Sequence, residues 1–125
     1  MSKIAFAKAF YEQFYSFLKE MGEMYPEDTD FPTFETFLRM LQKTNPMKVL
    51  EIFHEQTQKF SEQINSKNED FFLKYSYVEY GSNVTDVVGK LAGYFSAMTP
   101  DTKKCVWDYL YVLKELSHKA MVSSK

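Results

Sequence analysis

At 125 residues, with 45% hydrophobic and 26% charged side chains, the chain can bury one core without disulfide help. Its formal net charge is −2, with Lys and Arg scattered among Asp and Glu, so it lacks the basic stripe that grips a nucleic-acid backbone. A lone cysteine, Cys105, cannot close an internal disulfide, which favours a reducing intracellular setting over secretion.

The apolar run Ile4-Ala5-Phe6-Ala7 meets Lys8 and then Glu12, too early for a signal peptide, and Ser2 stands where myristoylation needs Gly. No stretch of about 18 uncharged apolar residues exists, so no membrane span is expected. Aromatic side chains dominate instead, with 12 Phe, 9 Tyr and 1 Trp, many spaced three or four apart as an aromatic-rich helical core requires.

The spacing predicts a first helix over 4–24, with Phe6, Phe10, Phe14, Phe17, Leu18 and Met21 on its core face, widened by Tyr11 and Tyr15. Pro26 ends it by disfavouring helical geometry at Tyr25. A shorter second helix carries Phe34, Phe37, Leu38 and Leu41, with Thr29, Asp30 or Thr33 as candidate caps. Asn45-Pro46 starts a third helix, Asn as N-cap and Pro at the first helical position. It buries Val49, Leu50, Phe53, Thr57, Phe60 and Ile64 and frays near Ser66.

The aromatic segment 69–80 reads as a short helix followed by extended chain; alternation of Phe71, Leu73, Tyr75 and Tyr77 also suits a strand, but no partner strand is evident. After the turn Gly81-Ser82-Asn83, with Asn83 and Asp86 as a capping pair, a fourth helix buries Val84, Val87, Val88, Leu91, Phe95 and Met98. Gly89, Gly93, Ser96 and Ala97 give it a low-bulk side open to close backbone approach. Thr99-Pro100-Asp101 starts a fifth helix with Val106, Tyr109, Leu110 and Leu113 inward. These elements predict an all-α, single-domain bundle of about five amphipathic helices spanning 1–125.

Two Glu-x-x-His pairs, Glu51/His54 and Glu115/His118, have the form that a di-iron helical enzyme uses, with Glu12 and Glu35 as further acids. Facing argues against a buried metal centre: Glu51 lies roughly 160° and His54 roughly 100° from the centre of the third helix's apolar face. Glu115 and His118 likewise point away from Val106, Tyr109 and Leu113. The four are therefore expected as solvated residues, with no metal or other cofactor. The loop 27–30 lacks the Gly and terminal Glu of a calcium loop and reads as a capping turn. Cys105 and His118 lie too far around one helix to form a nucleophile–base pair, and Cys105 is expected as a small core residue. No catalytic set, phosphate loop or small-molecule substrate site emerges.

One helix face invites a binding role. Trp107, Tyr111, Lys114 and His118 follow at i, i+4, i+7 and i+11, an aromatic and basic stripe suited to a protein partner or to self-association if it is exposed. The competing reading makes this helix central, with its aromatics packed on the segment 71–80. Tyr11, Tyr15 and the Gly89/Gly93 side pose the same choice.

The phrases Tyr25-Pro26 followed by Asp30-Phe31, Asn45-Pro46, Asn68-Glu69-Asp70-Phe71-Phe72-Leu73, and Trp107-Asp108-Tyr109-Leu110 with Leu113 give the chain a recognisable style. It resembles small, Phe- and Tyr-rich helical proteins of nucleocytoplasmic large DNA viruses, the algal and giant viruses. The resemblance transfers no catalytic residue. It implies a viral protein of the host cytoplasm or the virion. Together with the residue-level reading, the expectation is a non-enzymatic interaction module, with a metal-dependent helical enzyme built on Glu51, His54, Glu115 and His118 as the alternative.

Overall fold

Four aromatic rings set the first contacts. In the computed structural model, which describes residues 3–59, 61–67 and 93–123, α1 (Lys3–Met24) buries Phe10, Tyr11, Phe14, Phe17, Leu18 and Met21 along one side. Phe10 meets Phe14 and Phe53 edge to face at 5.7 and 5.3 Å, and Phe14 meets Phe53 at 5.8 Å. These separations and tilts suit the quadrupoles of the rings. Tyr11, fully buried, donates its hydroxyl to the Pro46 carbonyl at 2.5 Å, so its one polar atom is satisfied.

α1 stops before Pro26, where Tyr25 N–H still reaches the Met21 carbonyl and the chain turns through Asp28. Tyr25 stacks on Tyr94 at 4.0 Å, and the Tyr94 hydroxyl donates to the Asp28 carboxylate. α2 (Asp30–Thr44) then begins. Its N-cap residue is Thr29, yet the Thr29 side chain makes no capping bond. Asp28 does that work: its Oδ1 accepts from the Asp30 N–H at 3.0 Å, while the Thr33 hydroxyl donates back to the Thr29 carbonyl. The capping side chain is thus Asp28 and not Thr29, Asp30 or Thr33, because Thr29 itself adopts helical angles.

Asn45 joins two helices. Its N–H closes α2 on the Leu41 carbonyl, and its carbonyl receives the Lys48 N–H. α3 (Pro46–Lys59) buries Val49, Leu50, Phe53 and Thr57, and the short α4 (Ser61–Asn65) adds Ile64. Both stand where periodicity expects the third helix, and just past α4 Lys67 takes a left-handed φ of 56°. Past a helical turn at 93–95, Phe95 and Met98 are buried. α5 (Pro100–Val122) opens as its sequence specifies, with extended Thr99 accepting the Thr102 N–H on its hydroxyl at 3.2 Å and Pro100 leading.

α5 packs most extensively on α1 and next on α3, while α2 leans on α1 and α4 touches both α3 and α5. One continuous cluster of buried side chains runs through all five helices and Phe95. The described chain is an all-α bundle of five helices without a strand, as its amphipathic periodicity predicts. The expected irregular segment 69–80, the Asn83/Asp86 pair and the fourth helix up to residue 92 lie outside the described residues.

Phe10 sits at the junction of α1 with α3 and has no exposed surface. Phe10→Ala is expected to destabilise the fold by about 3–5 kcal/mol, measured as a shift of the urea midpoint at unchanged slope.

Candidate functional site

The stripe on α5 divides in two. Trp107 is only 4% exposed and meets Phe95 edge to face at 5.6 Å, and Lys114 is 5% exposed. Tyr111, by contrast, is 48% exposed, and His118 is exposed. The helical period explains the division. Val106, Leu110, Leu113 and Ser117 centre the buried face; Trp107 and Lys114 stand about 70–90° from that centre, Tyr111 and His118 about 110–130°. The four residues follow one helical line, but that line is the rim of the core.

Lys114 carries its charge inside with compensation. Its Nζ donates to Glu115 Oε2 at 2.7 Å and lies 5.3 Å from the centre of the Tyr111 ring. The Lys114 hydrogen bond holds the Glu115 carboxyl below its ordinary value, and the charges of His118 and Lys119 add to that. The outward face of α5 is therefore Lys104, Asp108, Tyr111, Val112, His118, Lys119 and Val122.

The two Glu-x-x-His pairs do not all stand apart in water as their angles from the apolar faces predict. His54 on α3 and His118 on α5 lie side by side, ring centres 5.3 Å apart and planes tilted by 35°. A wheel treats each helix alone. Side chains about 100° from an apolar centre sit on the flank where a neighbouring helix packs, so the flanks of α3 and α5 bring these two together. They meet at the edge of the bundle, His54 half-buried and His118 exposed. Burial first, and then the neighbouring His118, push the His54 imidazole below its ordinary pKa, against a smaller opposing effect of Glu55. The acids do not follow. Glu51 faces Lys48 at 3.5 Å on the exposed side of α3, and Glu115 is held by Lys114. Among the described residues no three His, Cys, Asp or Glu side chains converge as metal ligands.

A cleft of about 490 Å³ between α1 and α5 collects the remaining chemistry, from Glu20, Lys104, Cys105, Asp108 and Tyr109. Cys105 is half-buried at this cleft, not a core residue. Its thiol donates to Glu20 Oε2 at 3.5 Å. Burial and the Glu20 carboxylate raise the thiol to about 11, and the same two causes raise the Tyr109 hydroxyl to about 12. Lys104 and Asp108 pair across one turn at 2.8 Å on the exposed rim. The cleft can therefore hydrogen-bond, but its sulfur is a protonated thiol and a poor nucleophile. Glu20 lies on another helix far away in sequence, and no local motif marks it.

The other surface candidates are occupied. Tyr11 is interior, and Tyr15 donates to Gln42 Oε1 at 2.6 Å while Arg39 covers its ring at 4.0 Å. Gly93 is exposed, and Gly89 lies outside the described residues. The loop before α2 uses Asp28 for capping and for Tyr94, as a capping turn does. Among the described residues no helix is long and apolar enough to cross a membrane. Comparison of the chain with known protein families, curated proteins and solved structures finds no match.

Two outcomes follow from the cleft. At pH 8, folded protein should alkylate with iodoacetamide about a hundredfold more slowly than the urea-unfolded chain, and Glu20→Gln should recover part of that rate; mass spectrometry of timed samples reads both. Cys105 and Tyr109 ionise less readily folded than unfolded, so their contribution is complete below pH 9. It is lost as pH rises from 9.0 to about 11 for Cys105 and from 10.0 to about 12 for Tyr109. Denaturant midpoints should fall across that alkaline window.

Proposed function

We propose that this chain is a non-enzymatic helical module that works through protein–protein contact, using the outward face of α5. The observation that carries the reading is Tyr111, 48% exposed midway along a helix whose adjoining flank is buried. A tyrosine seated on packed neighbours presents a large surface at low entropic cost, the property that concentrates binding energy at interfaces. Val112 and Val122 extend the apolar area, and Lys104 and Lys119 give it a charged margin. The protonated state of the Cys105 thiol supports a binding role over nucleophilic chemistry. The likeness in sequence style to aromatic-rich proteins of large DNA viruses supports a minor virion component or infection-stage factor, acting in the host cytoplasm or the particle.

The test compares two variants. Tyr111→Ala combined with Val112→Ser should weaken a partner contact or self-contact by about tenfold or more, read by pull-down and sedimentation, with an unchanged circular dichroism spectrum. Trp107→Ala should instead lower stability, since its ring is interior. Wild-type binding by the folded double variant would remove the face from consideration.

A further inference from the structure

The imidazole pair has a geometry that solvated surface histidines do not need. His54 and His118 come from different helices, α3 and α5, yet their ring centres stand 5.3 Å apart. With metal–nitrogen bonds of about 2 Å and a tetrahedral angle, two imidazoles on one ion have ring centres about 5 Å apart. In addition, Nδ1 of His54 is shielded from solvent and has no hydrogen-bond partner among the described residues. A buried nitrogen without a partner is costly, and coordination to a cation would satisfy it.

We infer that His54 and His118 form a two-imidazole site for a borderline divalent transition metal such as Zn²⁺, Cu²⁺ or Ni²⁺, fastening α3 to α5. Water completes the coordination, since His118 is exposed. Nitrogen ligands select these ions over Mg²⁺ and Ca²⁺, which take oxygen. The nearby charges are nearly balanced: Glu55 beside His54 and Glu115 one turn from His118 oppose Lys114 and Lys119, with Lys114 already matched by Glu115. With two protein ligands the site holds its ion reversibly and acts as a clasp, distinct from a four-residue di-metal centre. It does not depend on the contact face of α5, because binding is read on the isolated chain.

The experiment is a calorimetric titration of the full chain with ZnCl₂ and NiCl₂, with MgCl₂ as control, alongside thermal melting in each salt. Expected are one ion per chain, a higher melting temperature with Zn²⁺ and Ni²⁺, and no response to Mg²⁺. His118→Gln, which alters an exposed side chain, should lower Zn²⁺ affinity by about tenfold or more while melting like wild type without metal. Cys105→Ser should bind as wild type does. Absence of Zn²⁺ and Ni²⁺ binding would overturn the inference, as would undiminished binding by His118→Gln or binding lost in Cys105→Ser but kept in His118→Gln.

Discussion

The interlock of the α1 aromatic ridge with Phe53 and with the inner face of α5 is the constraint on which the rest of the bundle depends. Phe10, Phe14 and Phe17 present rings at helical spacing, and their preferred edge-to-face separations fix how far α1 rotates about its axis. Phe17 reaches Tyr109 at 5.0 Å, tying the same ridge to α5. A rotation of α1 by one residue would expose several of these rings at once, at about 1.5–3 kcal/mol of burial each. The core therefore tolerates little slippage.

With α1 fixed, α5 is enclosed on more than one side. It meets α1 through Tyr109 on Phe17 and Cys105 on Glu20, and is also flanked by α3, α4 and Phe95. Enclosure has a cost where polar residues fall on the covered arc. Lys114 and Ser117 are both buried there. Each is accommodated locally, Lys114 by the adjacent Glu115 and Ser117 by the Lys114 carbonyl at 2.9 Å. The exposed ring of Tyr111 stands next to this arrangement, its centre 5.3 Å from Lys114 Nζ.

The same enclosure sets the chemistry of the flanks. Where α5 faces α1, burial and then a carboxylate brought from Glu20 keep Cys105 and Tyr109 protonated. Where α5 faces α3, two imidazoles are pressed together, with Glu55 beside His54. One flank of α5 thus holds a quiet thiol, and the other sets His118 beside His54 of α3. The difference arises from what each neighbour contributes, since α5 supplies a similar mixture of polar side chains to both.

Periodicity and caps were enough to place most of the helices from sequence. Phe10, Phe14, Phe17, Leu18 and Met21 had to share a face because apolar rings recur every three to four positions, and Thr99-Pro100 announced α5 through a side-chain acceptor and a missing N–H. Rotation relative to a helix's own core is local information, so it is legible in one dimension. The neighbour on each flank is not. That Trp107 and Lys114 turn in while Tyr111 and His118 turn out, that Glu20 meets Cys105, and that His54 meets His118 all depend on side chains at the margin of an apolar face. Such positions have no preference of their own between water and protein, and only the packing of a second helix against them decides it.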